Sequence, residues 1–376
     1  MRTEPIYCKL LAAAAAAAVL MMTGCAGFFV PTTGTTTTGS SGNNVYVANA
    51  AANSLAGFAI GTGTLTAVKN SPYVLTFSPT SVVVTPANTF VYVGGAGLVY
   101  AYAINSDGSL TIANSGAAVA SVSAAAMDIS PDGNWLFVLD TNGTTLEEYQ
   151  INKTTGLLTA QTANVFATAA GTNVARAVRV SPNGALVFAA VGPGGDRIFT
   201  FNTTTGAIAL SQQLLPIGVT SDNAIAIDKN TAYAFIARSG TAGTGVAAYT
   251  IGAGGALTSV TGSPFAAGSQ PYAVVLNNAN NYVYVANRGD GTISAYTIGT
   301  GGVLTPVTNS PFASGNSPVA LAADSTGKYI FAASLGGAPD LSMYAFDATI
   351  AGRIFTTTSA ATSATTSNAT AVATTH

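Results

Sequence analysis

Histidine and charge are what this 376-residue chain has least of. Its one histidine is His376, so no Ser-His-Asp triad, histidine general base or histidine metal site is expected in the channel of the fold deduced below. Charged residues make up only 7% of the sequence and the formal net charge is −2. With no basic field to attract polyanions, nucleic acid is excluded as a partner on electrostatic grounds. Beyond residue 25 the only glutamates are Glu147 and Glu148, and no glycine-rich loop followed by lysine is present to cradle a phosphate. Both cysteines, Cys8 and Cys25, fall within the first 25 residues, which leaves the rest of the chain without an internal disulfide. After residue 25 no apolar run approaches the roughly 18 to 20 residues that span a bilayer, although 48% of the chain is hydrophobic.

That apolar content is spread over short strands. Residues Pro271 to Ser317 hold four of them, Tyr272–Leu276, Tyr282–Ala286, Thr292–Ile298 and Val303–Val307, each rich in Val, Ile, Tyr and Thr and bounded by turn-forming Asn, Gly, Asp or Ser. Ser263-Pro264-Phe265 recurs as Ser310-Pro311-Phe312, a period of 47 residues. The paired first and second strands start six times, at Ser81–Gly94, Ala125–Leu139, Ala177–Val191, Ala224–Arg238, Ala273–Asn287 and Ala320–Ser334. A seventh unit begins at Val45 without a first strand, and Thr370–Thr374 resembles the missing piece. A four-stranded meander cannot cover both of its apolar faces alone, so copies must stack. The pattern predicts an all-β, seven-bladed propeller over residues 44–376, its ring closed by the C-terminal strand so that no sheet edge is left open.

The first 25 residues read differently. Arg2 and Lys9 precede the apolar run Leu10 to Met22, which ends in Thr23-Gly24-Cys25. This is a secretory signal whose end resembles the bacterial lipobox, with Cys25 as the residue to be lipidated. The Ala26 that follows resembles lipoproteins sent to the outer membrane. Residues 26–43, rich in Thr, Gly and Ser, form a flexible tether. The expected product is an extracytoplasmic monomer held to the membrane through a lipid on Cys25.

Val283-Tyr284-Val285-Ala286-Asn287, Ile293-Ser294-Ala295-Tyr296 and Gly302-Val303-Leu304-Thr305 resemble the repeats of the lactonase-family β-propellers. That group includes bacterial 6-phosphogluconolactonases and the repeats named for a Tyr-Val-Thr-Asn sequence. The likeness extends over nearly all of residues 44–376 and implies the fold. It implies lactone chemistry less directly, because the motifs are strand and turn residues shared by members with different functions. None of the family's catalytic positions can be matched residue by residue.

In such a blade the second-to-third and fourth-to-first connections share the top face. Asp140, Asn142, Asp196, Arg197, Arg238, Arg288, Asp290 and Asp340 are therefore expected around the channel mouth, where Arg donates bidentately and Asp accepts. Asp128 and Arg179 occupy equivalent inner-strand positions of neighbouring blades, beside the axis, and Arg176 lies one step nearer the top. They fit either an inter-blade ion pair or a ligand site. Two functional classes follow, with neither a cofactor nor a metal. The favoured one is a binding propeller for a small molecule, glycan or protein. The alternative is a lactone hydrolase in which Asp128 or Asp140 activates water and Arg179 or Arg288 steadies the oxyanion.

Overall fold

A computed structural model describes residues 42–376 except 162, 166–172, 215–218, 242, 243, 338 and 365–367. The signal segment, Cys25 and all but the last two residues of the tether lie outside the described residues. Among those described, seven antiparallel sheets follow one another, each built on four strands in sequential order from the axis outward. The inner strands are Ala369–Thr374 for blade 1, then Pro79–Val84, Ala124–Ile129, Ala177–Val180, Thr220–Ile227, Pro271–Leu276 and Pro318–Ala323 for blades 2 to 7. Each packs on the next, and the last packs on the first, so the ring is closed. Blade 1 joins the ends of the described chain: Ala369–Thr374 pairs antiparallel with Asn44–Asn49, as the split repeat predicts.

One hydrogen bond recurs in every blade at the turn from inner to second strand. A short polar side chain just past the inner strand accepts the backbone N–H of the residue that opens the second strand, and in blades 2, 5, 6 and 7 that of the residue before it as well. Thr85 takes Phe90, Ser130 takes Trp135, Ser181 takes Leu186, Asp228 takes Tyr233, Asn277 takes Tyr282 and Asp324 takes Tyr329, at 2.7–3.0 Å. In blade 1 the turn is absent, yet Thr375 Oγ1 accepts Asn44 N–H at 2.8 Å in the same place. These oxygens stand in for a backbone carbonyl, which is why Ser, Thr, Asn and Asp fill the position.

A second rule joins neighbouring blades. In blades 1 to 6 the first residue of the second strand packs on a glycine in the outermost hairpin of the next blade, for example Tyr233 on Gly302 and Phe90 on Gly156, and in blade 7 the Tyr329 hydroxyl accepts the Gly63 N–H at 2.9 Å. A Cβ on Gly302 would lie 2.6 Å from the Tyr233 ring, and the residue sits at φ 80°, so only glycine suits both demands. Aromatic donors add to these joints: Tyr46, Tyr92 and Tyr284 hydroxyls bond the carbonyls of Gly108, Gly156 and Gly352 at 2.8–3.0 Å, and the Trp135 indole bonds Thr203 at 2.7 Å. The remaining joint surface is apolar, and the core is a series of clusters between blades, with Phe265 and Phe312 packed against two of them.

Candidate functional site

The channel mouth is built by one residue per blade. In blades 1, 2, 3, 5, 6 and 7 the inner strand carries a bulge at equivalent positions, and the residue left out of register is Thr370, Thr80, Ala125, Asn223, Tyr272 and Val319 respectively. Arg176 takes that place in blade 4, its N–H bonded to Ala190 just ahead of the strand. A bulge turns a side chain out of the ordinary alternation. Here all seven line a central cavity of about 370 Å³.

Most of the polar members of this ring are used to hold it together. Thr370 donates to the carbonyl of Pro79, Thr80 to that of Ala124, and Asn223 to that of Pro271 at 2.9 Å. In each case the acceptor immediately precedes the ring residue of the next blade. Asn223 also donates to Ser239 at 2.8 Å and accepts from Ser221. Arg176 and Tyr272 are placed differently. The Arg176 guanidinium donates to the Tyr272 hydroxyl at 3.0 Å and lies 5.5 Å from the ring centroid, while Arg288, from the second-to-third connection of blade 6, lies 5.1 Å from the same ring. Such cation–ring contacts steady a guanidinium without neutralising it. Arg176 Nε is buried with no hydrogen-bond partner among the described residues. Among the described residues no carboxylate lines the cavity.

Deeper in the channel, Arg179 lines the wall and donates to its neighbour's carbonyl, Val178, at 3.2 Å. Asp128, on the adjoining blade, accepts the Val180 N–H at 2.7 Å. The two blades are thus linked, but through backbone: the side chains of Asp128 and Arg179 do not come within 4 Å as an ion pair. Desolvation holds the Asp128 carboxyl above the usual range against the pull of Arg179 and the Val180 N–H. His376 is nearer than its sequence position implies. The closing strand brings its ring nitrogen to 3.2 Å from the Val84 carbonyl, and His376 is the last of the groups that draw the Asp128 carboxyl down.

Of the loop charges expected at the mouth, only Arg288 comes beside a mouth residue, the Tyr272 ring, and it does not itself line the cavity. Asp140 is spent on the N–H groups of Thr144 and Thr145, both at 2.7 Å, and exposed Asn142 lies in the same turn. Asp290 takes Ser269 N–H at 2.5 Å. Asp340 is buried against Thr362 and Asn49. Asp196, Arg197 and Arg238 are fully or almost fully buried. The second-to-third connections stand one strand out from the axis, about 4.8 Å, so turn N–H groups and neighbouring blades lie closer to these side chains than the channel does.

Arg238 is bonded within blade 5, on the side where Asp196 of blade 4 approaches. It holds Asp222 through two bonds of 2.5 and 2.8 Å and reaches Tyr249 at 3.2 Å. Asp196 faces Asp222; burial first, and then the Asp222 charge, keep its carboxyl well above the usual range. Arg197, on the same strand as Asp196, bonds the Gly194 carbonyl at 2.9 Å. Asp222, Asn223 and Tyr272 were not marked by sequence. Laying the seven repeats on one another would have found Asn223 and Tyr272, since they stand at the position of Arg176. Among the described residues no group of three His, Cys, Asp or Glu side chains is arranged to hold a metal ion.

A family model for the lactonase seven-bladed β-propeller matches residues 78–175, 193–307 and 233–369, well over half of the chain. The chain belongs to the lactonase β-propeller family. No curated protein matches it in sequence. Solved structures of similar fold include a protein of Bacteroides uniformis assigned as a 6-phosphogluconolactonase, with 16% identity, a TM-score of 0.74, and 89% of this chain covering all of that one. The periplasmic gluconolactonase of Pseudomonas aeruginosa aligns at 15% identity and a TM-score of 0.71, covering 89% of this chain and 99% of its own. The hydrazine synthase of Kuenenia stuttgartiensis aligns at 14% and 0.59, over 80% and 92%. At these identities the likeness speaks for the fold. This lactonase-family propeller shares it with proteins of unlike chemistry.

Proposed function

We propose that the protein binds a small anionic molecule at the mouth of its central channel, in an extracytoplasmic setting to which a lipid on Cys25 anchors it. The observation that carries the reading is Arg176: a guanidinium at the channel wall, steadied by Tyr272 beside Arg288, with a buried Nε and, among the described residues, no carboxylate along the cavity. A cation kept without a counter-charge inside a concave site favours an anionic ligand, and a planar guanidinium suits a carboxylate or phosphate. Calorimetric titration with gluconate, 6-phosphogluconate, adipate and inorganic phosphate tests it. Binding by at least one anion, weakened tenfold or more in Arg176→Met, supports the reading; no binding by any of them removes it.

Hydrolysis of a sugar lactone is the second reading, favoured by the likeness to the periplasmic gluconolactonase and by Asp128 beside Arg179. Against it, one Asp128 oxygen is already taken by the Val180 N–H. Turnover of gluconolactone above the buffer rate, lost in Asp128→Asn, would replace the binding reading. The anchor rests on the signal ending in Thr23-Gly24-Cys25. Wild type should enter the detergent phase after expression in a lipoprotein-processing host and Cys25→Ser should not; equal partitioning of both removes the anchor.

A further inference from the structure

Arg176 and Arg179 stand on the inner edge of the same blade and both line the same cavity. Neither forms an ion pair among the described residues, where the close pairs are Arg238 with Asp222 and Arg353 with Asp347. The step between them is three residues, about 10 Å along extended backbone. The wall over that step is largely apolar, made by Val82, Ala126, Ala177, Ala224, Ala273 and Leu321, with Ser81 a polar side chain among them. A polyhydroxylated ligand would need a partner for each hydroxyl, and the ring side chains best placed to serve, Thr80, Thr370 and Asn223, are already bonded to backbone carbonyls. A ligand with one charge, held on Arg176, would leave Arg179 only the pull of Asp128, with which it makes no ion pair.

We infer that the ligand is an α,ω-dicarboxylate with an apolar spacer, lying along the channel axis with one carboxylate on Arg176 and the other on Arg179. This rests on the anion-binding reading above and narrows it. Arg179 gives one N–H to Val178 and keeps others for a ligand. With both side chains reaching inward, the span suits a spacer of roughly four to six methylenes.

The test is calorimetric titration of the full chain at fixed pH and ionic strength with adipate, suberate, hexanoate, gluconate and glucarate. Adipate or suberate should bind at least tenfold tighter than hexanoate and tighter than glucarate, which has two carboxylates but a hydroxylated body. Arg176→Met and Arg179→Met should each remove that tenfold advantage of the diacid. Near-ultraviolet circular dichroism checks that the variants are folded, and Arg179→Lys replaces the methionine variant if it is not, with part of the advantage retained. Diacids no tighter than hexanoate would overturn the two-headed ligand, and glucarate or gluconate binding as tightly as adipate would overturn the apolar spacer. In both cases the anion site stands. If no anion binds, phosphate and 6-phosphogluconate included, the broader reading falls as well.

Discussion

Arg238 and Arg176 stand in neighbouring blades, both close to the mouth, and their surroundings differ in one respect. Arg238 is 2% exposed and meets a carboxylate through two bonds. Arg176 meets a tyrosine ring and hydroxyl, and its Nε meets nothing among the described residues. A buried cation with a matched anion is part of how a blade is held together, here across the first two strands of blade 5; removing it strands the anion. A cation at a cavity wall without one adds little to stability and is free to recruit a counter-charge from outside. The same distinction separates Thr80, Thr370 and Asn223, which hold blade to blade, from Tyr272, which presents Arg176 to the cavity.

The joint side of this comparison should give the largest effects. Deleting residues 368–376 removes the inner strand of blade 1 together with the Thr375 cap, and should lower the melting temperature by more than about 10 °C; an unchanged melting curve would show that the ring is held without its seam. Arg238→Met should cost about 3–5 kcal/mol in urea unfolding at pH 7, because Asp222 stays buried beside Asp196. Arg176→Met should cost less than about 0.5 kcal/mol in the same assay. Equal losses would erase the distinction between the two arginines.

Glu148 extends the comparison to a buried acid with no cation at all. It is 2% exposed, one of its oxygens has no hydrogen-bond partner among the described residues, and desolvation pushes its carboxyl up to about 7. The folded state therefore holds a proton that the unfolded chain releases near pH 4. The stability is fully present below that point and is lost as pH rises through about 7. Wild-type unfolding free energy should fall by roughly 1–3 kcal/mol between pH 5 and pH 8 from this group, and Glu148→Gln should flatten the slope. Asp196→Asn should act in the same direction toward alkaline pH. Tyr272→Phe should give the smallest change, with stability within about 0.5 kcal/mol of wild type and anion affinity reduced a few-fold as Arg176 loses its hydroxyl partner.

The blades were legible because their signal is local and repeated: alternating short strands, turn residues and a period of 47 residues. Even the seam was legible, since Thr370–Thr374 reads like the inner strands elsewhere. The mouth was half legible. Asp128 and Arg179 stand out as charges at a position that is apolar in the other blades, and Arg176 as a charge one step nearer the top. Tyr272 does not, because Tyr-Ala-Val-Val-Leu looks like any strand and nothing in it announces the bulge. The fate of the loop charges was hidden for a different reason. Whether Asp340 turns to water or inward depends on Asn49 and Thr362, 291 and 22 residues away, and whether Arg238 does so depends on Asp222. His376 was discounted for standing last in the sequence, which says nothing of where a closing strand delivers it.

The cap that Thr375 supplies to Asn44 makes the seam chemically the same as the six continuous hairpins, and Thr375 also contacts the Gly42 carbonyl at 3.3 Å. The ring therefore has no privileged starting point. A chain in which a short turn joins residue 376 to residue 42, cut instead between Asn278 and Asn280 in the exposed hairpin of blade 6, would carry the same seven sheets in the same order. Where the polypeptide opens is a matter of its genetic layout, and the fold is indifferent to it.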